Sequence, residues 1–443
     1  MKANGHLPTF NLKAVVQETG LKPDTLRAWE RRYGLPKPKR TDGGHRLYSQ
    51  RDIDILKWLT SRQHDGMSIS RAINLWHQLE AEGRNPLAMS EFTDEVPSTL
   101  PPVYTGGEKT KELTMAWVDA CLAFDEQKSE QILNQAFALY SPEVVCFEVL
   151  QTALTEIGEA WHRGQITVQQ EHFASALALR KLEGLVSASP PPSRSGRFLV
   201  GCAPHEEHTF NSLLVTFLLR RHGWEALYLG ADVPADRIEE TVNQIKPQLV
   251  ILSAQQLHTA ATLREVALIL QAANVPLAYG GLVFNLWPAI RRRIPGYFLG
   301  ERLDLIPQAV DKLLKGVQEV PAEEPLEEFW RVALDGFRQH RATIEALVWR
   351  AYEQHDSVTY NYVSSACAAL ARNIEAGLEL GNVEYVGTNL GWIKGLFVDK
   401  SLTTEELVVF LKIYRQAVND QMAKAGQPIV AWLADLLKSK NEA

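Results

Sequence analysis

Glu206 and His208 stand two residues apart in a loop that follows a short apolar run, Phe198 to Cys202. That separation lets a carboxylate bond a ring nitrogen of its neighbour, which fixes the tautomer and strengthens the imidazole as a metal ligand. A Glu-x-His pair on a loop is also an ordinary surface pair, so its meaning depends on context. His205 is close enough to be an alternative ligand. Two further loops carry a hydroxyl, Ser253 after Leu249–Leu252, and a side-chain-free turn, Gly280-Gly281 after Pro276–Tyr279. A second constellation lies upstream: Trp161, nine residues beginning with His162, then Glu171-His172. By spacing alone, the Trp-His pair suits a core and the Glu-His pair an exposed helix face. The third is basic. From Lys22 to Arg51 there are nine Lys/Arg against three Asp/Glu, in a chain of formal net charge -7. Such a local excess is what phosphate contact requires, and a solvated basic helix pair is the plainer reading of it.

The elements around these residues follow from periodicity. Five short apolar runs, Phe198–Cys202, Glu225–Leu229, Gln248–Leu252, Leu277–Tyr279 and Tyr297–Leu299, alternate with amphipathic segments. That alternation predicts a parallel, doubly wound sheet, whose ligands bind beyond the carboxyl ends of the strands. The Glu206–His208 loop falls there. A flavodoxin-like NAD or flavin fold shares the pattern, but no GxGxxG follows the first strand. From Leu113 to Ala188 the spacing is helical, with breaks near Phe124, Ser141-Pro142 and Arg163-Gly164, which predicts a four-helix bundle. Residues 9–34 read as two short helices, the first capped by Asn11 and the second started at Lys22-Pro23-Asp24 and ended by Gly34. This is a helix-turn-helix, whose second helix enters the major groove. Leu35–Arg40 is extended, Thr41–Tyr48 reads as a hairpin turning at Asp42-Gly43-Gly44, and Ser68–Glu80 continues as a helix.

At 443 residues the chain suits three or four domains. Hydrophobic residues at 45% allow sizeable cores, and charged residues at 22% argue against global disorder. Cys121, Cys146, Cys202 and Cys367 lie far apart without CxxC spacing, which suits reduced thiols in a cytoplasmic protein. No signal peptide or membrane span is expected from the hydropathy pattern. The expected organisation is multidomain, α and α/β. It comprises a winged helix-turn-helix (8–80), a linker (81–110), a four-helix bundle (111–188), a Rossmann-like domain (197–318) and a C-terminal all-α domain (326–438).

The loops of the α/β region resemble the cobalamin-binding Rossmann-like fold. In that family an Asp-x-His-x-x-Gly loop supplies the lower cobalt ligand, a Ser lies along the nucleotide tail, and Gly-Gly gives the tail room. The resemblance implies His208 as lower axial ligand, Glu206 as its orienting acid, and Ser253, Gly280 and Gly281 along the tail. Asn211 stands where the motif has Gly, and Gln255 where Leu or Thr is usual. Leu26–Gly34 with Gly43–Ser49 and Asp52 resembles the MerR-type winged-helix family over residues 8–78. It implies Arg27, Arg31, Arg32, Arg46 and Tyr48 as DNA-facing residues, with Trp29 and Leu47 in the core.

A bundle before a cobalamin fold, with Trp, nine residues and then Glu-His, resembles the CarH/LitR-type light-dependent repressors over residues 8–318. In that family the bundle caps the adenosyl face of adenosylcobalamin. Trp161 would stack on the upper group, Glu171 would bond its sugar, and His172 would support either role. His162 would be available to the cobalt after light. The protein implied is a promoter-binding, light-responsive repressor, a homo-oligomer and not an enzyme. A corrinoid methyl-carrier is an alternative that lacks a winged-helix head, and Asn211 favours a regulator that has lost the cofactor. The segments Gly381–Tyr385 and Leu390–Phe397, with Leu402, resemble helical modules of cobalamin photoreceptors that also hold a bilin such as biliverdin. His340, His355, Tyr360, Tyr362 and Cys367 are its pocket candidates, and a dimerisation module is the alternative. Either way the tail is expected to lie apart from the cobalamin site.

Overall fold

The computed structural model describes residues 8–19, 21–40, 46–64, 69, 72–73, 76–77, 107–316, 321–352, 360–387, 393 and 403–438. Two units, Met1–Pro102 and Val103–Ala443, are each compact. The first holds β1 (Pro8–Asn11), α1 (Leu12–Thr19), α2 (Pro23–Tyr33), β2 (Lys39–Arg40), β3 (Arg46–Ser49) and α3 (Gln50–His64). The Asn11 side chain accepts the Ala14 N–H at 2.9 Å and so caps α1. Pro23 opens α2, and Gly34 ends it at φ 69, in the left-handed region that favours glycine. β3 lies between β1 and β2, antiparallel to both.

The core of this unit gathers Val15, Leu26, Trp29, Ile53, Leu56, Leu59 and Trp76. It also takes Tyr48, which is only 1% exposed. Tyr48 sits on the central strand opposite Phe10. Leu47 is half-buried. The expected turn at Asp42-Gly43-Gly44 and most of Ser68–Glu80 lie outside the described residues.

The second unit begins with the bundle: α4 (Glu108–Leu122), α5 (Glu126–Leu139), α6 and α7 (Val168–Ser187). α6 runs as Pro142–Val144, a π-helical stretch Val145–Gln151, then Thr152–His162. Asp125 and Ser141 cap α5 and α6, and Thr167 with Gln170 forms a capping box on α7. The helix breaks are those the sequence predicts.

Next come β4 (Arg197–Cys202), α8 (Phe210–Arg221), β5 (Glu225–Gly230), α9 (Ile238–Ile245), β6 (Leu249–Ser253), α10 (Leu257–Ala272), β7 (Leu277–Gly280), α11 (Leu282–Leu286), β8 (Tyr297–Phe298) and α12 (Ile306–Lys315). The strands are parallel, in the order β5-β4-β6-β7-β8. The order reverses between β4 and β6, so the ligand crevice of such a sheet opens there. β4 is buried on both faces after its first residue, which is why it reads as a continuous apolar run.

Both flanks of the sheet share a core with a helical layer. Leu213, Leu214, Phe217 and Leu218 of α8 belong to the core of the bundle. On the other flank α10 joins one core with α13 (Glu328–Tyr352), α14 (Tyr360–Glu379), α15 (Thr404–Met422) and α16 (Gln427–Lys438). The tail thus packs against the helical flank of the sheet. The Pro/Glu stretch before α13 packs rather than spans, because Glu323 bonds Arg264 and Arg293 at 2.7 and 2.9 Å. Among the described residues no helix is long and apolar enough to cross a membrane.

Tyr48→Ala should destabilise the first unit by about 3–5 kcal/mol, the usual loss for a buried aromatic. Arg31, exposed on α2, should tolerate alanine without a change in stability. Urea unfolding of the full-length variants separates the two, and equal midpoints would put Tyr48 on the surface.

Candidate functional site

Glu206 is 1% exposed although it carries a charge. Burying a carboxylate is tolerable only if its lone pairs are filled. Here four donors fill them. One oxygen takes the Gln255 N–H at 2.6 Å and the Thr259 hydroxyl at 2.7 Å. The other takes the His208 N–H at 3.0 Å and the His208 ring at 2.5 Å through Nδ1. An ionised carboxylate can only accept, so Nδ1 carries a proton, and in the neutral ring Nε2 is the nitrogen that keeps a lone pair. The His208 side chain is 61% exposed. This is the donor that a metal centre approaching from the crevice needs, and the loop fits the cobalt ligand that the sequence implies.

Electrostatics follow the same bonds. Burial alone would raise the Glu206 carboxyl, but the bonds from His208 and Gln255 bring it below its ordinary value. The bond to Glu206 raises His208, against the opposing effect of burial, with further help from Glu171 and Glu207. Glu171 belongs to the bundle, so the bundle and the His208 loop feel one another's charge.

The neighbouring loops are knitted to this one. Asp232 donates its N–H to the Glu206 carbonyl at 3.0 Å, and its carboxylate accepts the His205 N–H at 2.6 Å. His205 has φ 65 and an exposed ring with no buried acid behind it, so it lacks what orients His208. The Ser253 hydroxyl bonds Cys202 Sγ at 3.5 Å. A Cβ on Gly281, at φ 131, would lie 1.8 Å from the Ala254 carbonyl oxygen, whereas one on Gly280 would meet nothing within 4 Å. Gly281 thus permits the turn, and Gly280 leaves room beside it. Asn211, the departure from the motif, is held by Gln151 at the end of the π-helical stretch, 3.3 Å away. Gln255 accepts the Leu282 N–H at 2.9 Å and leaves its own buried Nε2 without a partner.

At one end of the bundle, Trp161 and His162 close α6, and Glu171 and His172 open α7 across the turn. Trp161 is half-buried and His162 exposed. Glu171 bonds Ser175 at 2.7 Å and His172 at 2.6 Å. In the first unit, Arg27, Arg31 and Arg32 are exposed along α2, while Arg46 is bound to Glu30 at 2.8 Å. Sequence reasoning missed Thr259. Its only trace is the pattern Gln256-x-x-Thr259 at a helix start, realised as a capping box.

Comparison with known proteins agrees with these parts. Residues 10–79 match the MerR HTH family regulatory protein model, and residues 116–185 and 196–304 match two B12 binding domain models. The chain is 30% identical over 301 residues to the HTH-type transcriptional repressor CarH of Myxococcus xanthus, covering 66% of this chain and 96% of that one. It is 29% identical over 279 residues to the repressor CarA of the same organism, covering 62% and 87%. The trimethylamine corrinoid protein of Methanosarcina barkeri is 27% identical over 142 residues, 31% of this chain and 65% of that one.

The His208–Glu206 pair sets a pH window for the cofactor-free protein. His208, raised from 6.5, contributes stability below that value and loses it as pH rises through its folded value. Glu206, lowered from 4.5, contributes above that value and loses it as pH falls through its folded value. Glu206→Gln should therefore lower the pH at which the His208 ring titrates, followed by NMR. An unchanged titration would show that Glu206 does not govern the ring.

Proposed function

The chain belongs to the CarH-type family of B12-dependent MerR regulators, and on that premise we propose that it is a light-responsive repressor holding adenosylcobalamin between bundle and sheet. It binds DNA through a MerR-type head. The observation that supports the cofactor reading is the exposed His208 ring held through Nδ1 by the fully bonded Glu206, which in the neutral ring leaves Nε2 as the nitrogen able to ligate.

Bound adenosylcobalamin would supply a cobalt–carbon bond that light breaks. The residues of this chain do the rest. His208 would ligate the cobalt, the Ser253 hydroxyl, now on Cys202, would bond the nucleotide tail, and Gly280 would leave the tail room. Trp161 packs against the upper group and Glu171 bonds it, so the dark arrangement keeps the bundle closed on the sheet. Without an upper group Trp161 would lose that packing, and His162 would be available as a ligand in its stead. α8 shares the bundle core, which carries the change to the rest of the unit. In the dark, homo-oligomers would bring several heads to one promoter, gaining avidity without any new base contact.

For the tail, a bilin such as biliverdin remains the second reading. It is favoured by the Tyr414 hydroxyl, which is wholly buried and has no partner. Cys367 lies in the same core, with burial pushing its thiol up to about 12.

The test is a gel-shift titration of the protein's own promoter by full-length protein loaded with adenosylcobalamin, in the dark and after illumination. Tight dark binding that light abolishes is expected; equal affinity in dark, in light and without cobalamin would overturn the reading. Arg31→Ala should weaken promoter binding and leave cobalamin loading intact. Trp161→Ala should still load cobalamin but behave in the dark as wild type does after light. Losing an aromatic wall costs about 3–5 kcal/mol, and about 5.5 kcal/mol inverts a 99:1 equilibrium. Normal dark assembly and a normal light response in that variant, measured by size-exclusion mass, would make Trp161 ordinary core.

A further inference from the structure

We propose that the C-terminal helical module positions the lower cobalt ligand, acting through α10; this rests on the cobalamin reading of His208.

α10 has two jobs at two places along its length. At its first turn, Thr259 and the preceding Gln255 hold one oxygen of Glu206, and Glu206 holds the ring of His208. One and a half turns later, Arg264 is bound into the module. Its guanidinium reaches Glu323 at 2.7 Å and Glu379, the last residue of α14, at 2.9 Å, and all three side chains are less than one-fifth exposed. Arg293 completes the cluster at 2.9 Å from Glu323 and is 8% exposed.

The burial of α10 agrees. Its Leu263, Val266 and Leu270 are buried, as a helix on a sheet requires, but Ala260, Ala261 and Ala267 are buried too. Buried positions thus extend beyond the sheet-facing stripe, with Glu265 left exposed, and α14 shares a single core with this helix. Small residues at that contact let two helices approach closely. Thr259 and Arg264 are about 7.5 Å apart along the axis at the usual helical rise, so a shift of α14 against α10 moves the Thr259 hydroxyl with it. Thr259 touches only the orienting acid, which makes Arg264 and Glu379 positioning residues acting at two removes from the metal.

The experiment uses the full-length protein titrated with hydroxocobalamin, followed by absorption. Arg264→Gln and Glu379→Gln should each bind about tenfold more weakly, the lower end of what loss of an outer partner of a metal ligand costs. At saturation, part of their spectrum should move from the histidine-ligated to the ligand-off form. Arg264→Lys should recover part of both effects. Arg331→Gln, which breaks only the exposed pair with Glu328 on α13, should match wild type. Folded Arg264 and Glu379 variants with wild-type affinity and spectrum would overturn the proposal. Hydrogen exchange on the wild type needs no variant. Coupling is reciprocal, so cobalamin should slow exchange of the α14 amides, and unchanged exchange there would also overturn it. A wild type that takes up no cobalamin would instead fail the reading beneath, which keeps the two failures apart.

Discussion

A charged carboxylate with 1% exposure is the constraint on which the rest of this site depends. An unpaired charge there would cost several kcal/mol, so the fold brings donors from three places to Glu206. They are its own loop, the turn after β6 and the first turn of α10. Filling those lone pairs fixes more than the acid. It puts a proton on Nδ1 of His208, holds the ring in place, and ties the β4 loop to the strand on the far side of the switch point. Cys202, Ser253 and Asp232 extend the same knot.

The helical layers then gain a role beyond covering the sheet. α8 begins beside His208 and buries four residues in the bundle core, while α10 carries Thr259 in its first turn and shares the core of the C-terminal helices. Each flank therefore reaches the loop through one helix. Asn211 illustrates how the departure from the motif is accommodated. Its amide turns to Gln151, at the end of a π-helical stretch that moves a helical face out of its normal register.

The strands of the sheet and the breaks of the bundle were legible because each depends on local pattern, apolar runs in one case and caps in the other. The Glu206–His208 contact was legible because it spans only two residues. Thr259 and Arg264 were not, since their partners lie 53 and 115 residues away in Glu206 and Glu379, and nothing local distinguishes a capping threonine from one that also holds an acid. The burial of Tyr48 was not legible for a related reason. It follows Arg46 by two on a strand, and such a pair shares a face, but the central strand turns that face partly into the core. Period two gives the face and not what covers it.

The central claim is that the imidazole of His208, held by Glu206, is the lower ligand of the cobalt. Electron paramagnetic resonance of the cobalt(II) form, bound to protein labelled with nitrogen-15 only in histidine, tests it most directly. A histidine nitrogen bound to the metal would split each cobalt line into two, whereas the cofactor's own unlabelled base would split it into three. The account predicts doublets that disappear in His208→Ala. Triplets in the labelled wild type, or doublets that survive in the variant, would contradict it.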